Sequence, residues 1–211
     1  MSAGLAAVVL AGGQGLRLGG GDKALRPLAG RPLLDHVLDR LSGQVGAVAI
    51  NANGDPDRFA GYGLPVVADS VAGFPGPLAG VLAGLDHAAE AWPDCPRVLS
   101  APCDTPFLPR DLVARLAEAR LAEGATLARA GSAGRAHPVV ALWPVALRHA
   151  LREALVVEAV RKVDRFAGRH RVATVDFPPV EAPGGPIDPF FNVNAPADLR
   201  AAEAALADGP S

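Results

Sequence analysis

At 211 residues and 21.5 kDa, the chain is long enough to bury roughly 70% of the surface its unfolded form exposes, without a disulfide or metal staple. Half of its residues are apolar, 20% are charged and the mean hydropathy is +0.23, which excludes a disordered chain. A net charge of −2 and a pI near 6.2 leave no broad basic field, which argues against nucleic acid as a partner. The run 6–10, Ala-Ala-Val-Val-Leu, is stopped by glycines and reads as a strand buried on both faces. Similar short apolar runs follow at 45–50, 65–68, 97–100, 125–130, 138–142 and 171–175. Between them the apolar residues fall at helical spacing. Leu33, Leu34, Val37, Leu38 and Leu41 share one face, with Pro32 suited to a first turn. Further helices are predicted over 78–89, 109–123, 144–155 and 157–166. A last one is predicted to begin near Asn194 as its N-cap, with Pro196 in the first turn and Leu199 as an anchor.

Strands alternating with helices predict an α/β fold in three layers, a mostly parallel central sheet with helices on both faces. Aromatics are only 5%, so the core is built from Ala, Val and Leu. There is no internal repeat and no linker-like stretch, and the Pro/Gly-rich piece 178–189 reads as one loop, so one domain over 1–211 is expected. No segment approaches the roughly 18 uninterrupted apolar residues of a membrane helix, and the apolar start has no basic segment before it. Cys95 and Cys103 form neither a disulfide framework nor a zinc set. A cytoplasmic, membrane-free monomer is the expectation.

Ligands of such sheets sit beyond the carboxyl ends of the strands. The first strand end carries the richest segment, Gly12-Gly13-Gln14-Gly15-Leu16-Arg17-Leu18-Gly19-Gly20-Gly21-Asp22-Lys23. Glycines at this density disfavour a helix by about 1 kcal/mol each, but they let successive backbone N–H groups surround an anion. The segment is neither a P-loop, since Lys23 is followed by Ala24, nor a dinucleotide fingerprint, since Leu18 stands where the third glycine belongs. Only two of the 20 basic residues are lysines, Lys23 and Lys162. A lysine in the glycine loop of so arginine-rich a chain suggests that a compact point charge is wanted on phosphate oxygens, with Arg17 as a weaker partner.

The other strand ends repeat the theme. Asn51-Ala52-Asn53, Asp69-Ser70 and Pro102-Cys103-Asp104-Thr105-Pro106 each place a polar residue where the crevice is expected. Asp104, between prolines, can aim a carboxylate at a hard cation that completes its shell with phosphate oxygens and water, or it can simply form the turn. Asp69 reads equally as a helix-entry cap. His36, His87, His149 and His170 read as surface or capping residues, and Cys103 as a small buried residue. His137, before Pro138, has a crevice-facing reading as its second alternative. Arg135 has a reading as guide for an anionic acceptor beside that of a surface arginine.

Leu10-Ala11-Gly12-Gly13 with Arg17 and Asp22-Lys23 resembles the signature of nucleotidyltransferases with a Rossmann-like fold. Asn51-Ala52-Asn53, Asp69-Ser70, Pro75-Gly76-Pro77-Leu78-Ala79-Gly80, the Asp104 motif and Phe191-Asn192-Val193-Asn194 narrow the resemblance. In order and across nearly the whole chain, they are similar to the molybdenum cofactor guanylyltransferase (MobA) family. Gly15 and Leu18 depart from its usual loop pattern. The resemblance implies transfer of GMP from GTP to the terminal phosphate of molybdenum-bound molybdopterin, releasing pyrophosphate. It implies an N-terminal nucleotide-binding part and a C-terminal acceptor-binding part. Leu10, Ala11, Gly12 and Gly13 would then contact the nucleotide, Lys23 its phosphates, and Asn51 and Asp69 the base or ribose. Asp104 would hold Mg²⁺, while Asn192 and Asn194 face the acceptor or a second metal contact, or serve as turn and capping residues. Transient contacts with other cofactor-biosynthesis or acceptor proteins are a further expectation. Lys23, Arg17 and Asp104 form the expected catalytic set. A cytidylyltransferase, a sugar-phosphate nucleotidyltransferase and a catalytically silent nucleotide-binding module are the competing readings.

Overall fold

The structure, a computed structural model, describes residues 4–12, 22–71, 73 and 76–207. Its centre is a seven-stranded sheet, and each strand coincides with one of the apolar runs. In spatial order the strands are β5 (Val66–Val67), β4 (Ala47–Asn51), β1 (Leu5–Leu10), β6 (Arg97–Pro102), β8 (Arg135–Pro144), β7 (Leu127–Ser132) and β9 (Val172–Asp176). All are mutually parallel except β8, which runs against both β6 and β7. The short ribbon of β2 (Pro27–Leu28) and β3 (Arg31–Pro32) stands apart from this sheet. Nothing in the composition of residues 27–32 announced it.

Alternation along β1 explains the layers. Ala7 and Val9 face a core shared with Leu34, Val37 and Leu41 of α1 (Leu33–Leu41) and with Leu112, Val113 and Leu116 of α3 (Leu112–Ala122). Ala6 and Val8 face the opposite core, filled by α2 (Pro77–Ala91), α4 (Arg148–Val156) and α5 (Val163–Ala167). Trp143 lies fully buried in that second core, and its indole N–H donates to Ser100 Oγ at 2.9 Å. A third, smaller core holds α6 (Pro196–Leu206) against Leu28, Leu33, Phe107 and Val193. It carries the segment before α6 back to the sheet's edge.

Two helix predictions need correction. The spacing over 157–166 is not one helix. Ala159 takes φ 53°, and Val160 N–H donates to Ala154 O at 2.9 Å, so the chain closes off α4 there. Val160 still reaches the core from the irregular segment while Val157 is 75% exposed, and helix resumes only at Val163, the start of α5. Nor is Asn194 the N-cap of the last helix. Ala195 occupies that position, and the Asp198 carboxylate accepts from the N–H groups of Asn194 (2.9 Å) and Ala195 (2.8 Å). The Asn194 amide is thereby released for another partner.

Helix α2 lies unusually close to the sheet, and its small residues permit it. A Cβ on Gly84 would fall 2.6 Å from Val8 Cβ; one on Gly80 would fall 2.8 Å from a Leu10 methyl and collide with the Asn51 amide oxygen. Alanine at either position is expected to cost roughly 1–3 kcal/mol through overpacking, as thermal unfolding would read. Only Gly80→Ala should also displace the Asn51 side chain, because only Gly80 packs on it, and unchanged Asn51 amide resonances in that variant would sever the link.

Candidate active site

Beyond the carboxyl ends of β1, β4, β5 and β6 opens a cavity of about 470 Å³. Leu10, Gly12, Asn51, Asp69, Asp104 and Asn192 line it together with Asn53, Gly76, Pro77, Pro102 and Val139. Ala11 lies just behind this wall, buried, its N–H donating to Asn51 O at 2.8 Å. Gly13 and Arg17 lie outside the described residues.

Asp69 is not a helix cap. Its Oδ1 accepts from Asn51 Nδ2 at 3.0 Å and its Oδ2 from Asn53 Nδ2 at 2.8 Å, while Asn53 Oδ1 accepts from the Asp69 N–H at 2.9 Å. Asn53, quoted in the motif but left out of the expected site, is thus half of the clamp that orients the carboxylate. Its position two residues beyond Asn51 was the available clue, since Asn51 ends β4 and Asn53 follows in the adjoining loop.

Lys23 opens a 3₁₀ turn, Lys23–Leu25, capped by Asp22, whose side chain accepts from Ala24 N–H at 3.2 Å. Asp22 is tied to Arg58 of a second 3₁₀ segment, Pro56–Tyr62. From this turn Lys23 Nζ donates to Asp104 Oδ2, and to Asn194 Oδ1 at 2.5 Å. Residues 81 and 171 positions apart in sequence are therefore joined through one ammonium group. The Asp104 backbone carbonyl accepts from Val193 N–H at 2.9 Å, which anchors the 192–194 segment against the end of β6. Thr105 Oγ1 donates to Pro102 O at 2.8 Å and secures the turn, leaving the Asp104 side chain for the site.

Asp104 Oδ1 is buried and has no hydrogen-bond partner. An ionised carboxylate oxygen left this way is costly unless something else satisfies it. A hard cation fits that vacancy in chemistry: Mg²⁺ takes one or two carboxylates and fills the rest of its shell with phosphate oxygens and water. Among the described residues no cluster of three His, Cys, Asp or Glu side chains could hold a metal by itself. A cation here would therefore depend on phosphate ligands as well. Cys103 next door is no nucleophile, since burial, reinforced by the Asp104 carboxylate, pushes its thiol far above the ordinary range.

Asn192 also borders two further cavities, of about 190 and 400 Å³, both bounded by Arg135, His137 and Phe190. Asn194 lines the larger of them. The Lys23–Asp104–Asn194 cluster therefore stands between two spaces, one beside the parallel strand ends and one beside the start of β8.

Fold and comparisons together define the class of protein: a nucleotidyltransferase. The chain belongs to the MobA-like NTP transferase domain family, whose model matches residues 7–173. It is 60% identical over 197 residues to the molybdenum cofactor guanylyltransferase of Rhodopseudomonas palustris (strain BisB5), covering 93% of this chain and 91% of that relative. Its fold is shared with the molybdopterin-guanine dinucleotide biosynthesis protein A of Archaeoglobus fulgidus (TM-score 0.71, 22% identity, 94% and 96% of the two chains covered). A 4-diphosphocytidyl-2C-methyl-D-erythritol synthase of Anaerococcus prevotii shares it as well (TM-score 0.72, 14% identity, 97% and 96% covered). The fold alone therefore does not choose the nucleobase.

Proposed function

We propose that the protein transfers GMP from GTP to the terminal phosphate of molybdenum-bound molybdopterin, with Mg²⁺ as the metal. One observation carries the reading: the Lys23–Asp104–Asn194 cluster joins a nucleotide-sized cavity to a second space. Two substrates held in those spaces would meet over the cluster. The name carried by the 60% identical relative supplies the substrate class.

The choice of base follows from Asp69. A carboxylate offers only acceptors, about four lone-pair sites, and two of these are occupied by Asn51 and Asn53. Capacity remains on both oxygens. Guanine presents two adjacent donors on its pairing edge, N1–H and N2–H₂, whereas cytosine presents one donor beside acceptors. A site built around paired donors rejects an analogue lacking them by as much as about 10⁴–10⁵-fold.

In the reaction an acceptor phosphate oxygen attacks the α-phosphorus of GTP. The new P–O bond forms as the bond to the β-phosphate oxygen breaks, and pyrophosphate leaves with the electron pair. The acceptor is already anionic, so no general base is needed. The obstacles are repulsion between anions and charge growing on pyrophosphate. Lys23 answers both, its ammonium exchanging part of its hold on Asp104 for phosphate oxygens. Asn194 steadies that ammonium on the acceptor side, and Asp104 supplies the carboxylate for the cation. When bound, Mg²⁺ neutralises phosphate charge and favours departure of pyrophosphate.

The test is turnover of GTP against CTP with molybdopterin as acceptor, with and without Mg²⁺, in the native chain and in Asp69→Asn. Metal-dependent turnover with GTP favoured at least a hundredfold is expected. Asp69→Asn should shrink that preference by tenfold or more. Equal use of CTP would overturn the base assignment.

A further inference from the structure

The cavity of about 400 Å³ beside the start of β8 contains a hydrogen-bonded group that the transfer step does not use. Strands β7 and β8 meet in a tight two-residue turn, Ala133 at φ 48° and Gly134 at φ 75°, which sets Ser132 opposite Arg135. Ser132, 3% exposed, donates its hydroxyl proton to Asp188 Oδ2 at 2.8 Å. Its oxygen also lies 2.7 Å from His137 Nε2. A serine has one proton to give, and a carboxylate can only accept it. His137 must therefore be the donor to Ser132, which places its proton on Nε2 and leaves Nδ1 as an acceptor. Asp188 is itself fixed by the Phe190 N–H at 2.7 Å. Phe190 in turn packs on the imidazole, ring centroids 4.7 Å apart, and its other side meets Phe177 edge-on. Burial holds the imidazole below its ordinary range, Arg135 pushing the same way while Asp188 and Asp176 oppose. The neutral tautomer is thereby favoured. Arg135, exposed at the start of β8, adds a cation to the same wall.

Such a wall has a defined chemical complement. It combines an imidazole with a free ring acceptor, the half-buried Phe191 ring and a guanidinium. A fused heterocycle carrying a ring or exocyclic N–H and an anionic substituent matches all three. The cavity reaches Asn194, which bonds Lys23, so a phosphate on such a molecule would face the reacting centre.

We infer that His137, oriented by Ser132 and Asp188, is a specificity-determining residue that accepts a hydrogen bond from the heterocycle of the acceptor, with Arg135 holding the acceptor's negative charge. This rests on the reading of the second substrate as a pterin. Ser132 is a positioning residue, acting through the imidazole, and Asp188, which also lines the cavity, holds Ser132 in place.

The test uses two readouts on the full chain. The first is binding of pterin-6-carboxylate, a fluorescent fused heterocycle bearing one anionic group, followed by quenching. The native chain should bind it, and His137→Ala and Arg135→Ala should each weaken binding roughly tenfold, as expected for one unmade hydrogen bond or ion contact. His137→Asn, which keeps an acceptor near the Nδ1 position, should recover part of the loss. Ser132→Ala should weaken binding less than His137→Ala. The second readout is steady-state turnover, in which the same variants should raise the Michaelis constant for molybdopterin and leave that for GTP unchanged. Native affinity for the probe in His137→Ala, or no binding by the native chain, would overturn the inference. So would a parallel rise in both Michaelis constants, the mark of general disruption. If the native chain binds the probe through His137 but does not turn over GTP with molybdopterin, the proposed reaction fails and the pocket assignment stands.

Discussion

Asp104→Ala is expected to slow GMP transfer roughly a thousandfold, about 4 kcal/mol of transition-state stabilisation, with GTP saturating. The side chain lines the cavity, meets Lys23 through one oxygen and keeps the other buried without a hydrogen-bond partner. Removing it therefore strips the site of its proposed cation ligand and leaves the lysine partly uncompensated in the same stroke. Asp104→Asn separates the two effects. The amide keeps the volume and an acceptor for Lys23, so the fold should persist, while the affinity for a cation should fall steeply. Two measurements check this: single-turnover rate, and the rise in unfolding temperature that Mg²⁺ with GTP gives the native chain. Both should collapse in Asp104→Asn. Near-native turnover in either variant would show that the metal, if one is used, sits elsewhere.

Lys23→Ala should fail in a different way. Both side chains of the pair are about nine-tenths buried, with relative exposures of 11% and 12%. Breaking a buried pair by removing one partner typically costs about 3–5 kcal/mol, because a charge is left without compensation. The unliganded variant is thus expected to unfold at a markedly lower temperature than the native chain. Mg²⁺ added together with GTP should restore much of that loss, since it neutralises the same carboxylate, whereas the two together should do little for Asp104→Ala. Turnover should still fall about a hundredfold or more and the Michaelis constant for GTP should rise, because Lys23 is the ammonium that bonds both Asp104 and Asn194. Unchanged stability and unchanged kinetics would return Lys23 to the status of an ordinary cation. The opposed metal responses of the two variants make the pair informative.

The order of strands and helices was legible because a sheet buried on both faces must be written in short apolar runs, and seven such runs became seven strands. What composition could not reveal was direction. Residues 135–144 carry the same apolar content as their neighbours, and the two-residue turn before them is what reverses the chain. The helix expected at 157–166 failed for a related reason: only its end, from Val163, is helical, while Val160 reaches the core from an irregular segment, and periodicity cannot tell the two apart. At the site, residues whose chemistry depends on the adjoining strand end stood out, as with Lys23, Asn51, Asp69 and Asp104. Residues whose roles depend on distant partners did not. Asn194 entered the expected site only through the family resemblance, with capping as its alternative until Asp198 took that task, and Ser132 acquires meaning only from Asp188, 56 positions on.

The single reversed strand has a wider consequence. Because β8 starts at the rim where β1, β4 and β6 finish, Arg135 and His137, the residues proposed for the second substrate, sit near a hairpin tip at that rim. Had β8 followed its neighbours' direction, Arg135 and His137 would lie at the opposite rim, out of reach of Lys23. Evolution can accordingly redirect the same chemistry to a new molecule by grafting one short loop, and a laboratory chimera exchanging 132–137 should inherit its donor's taste without forfeiting the nucleotide.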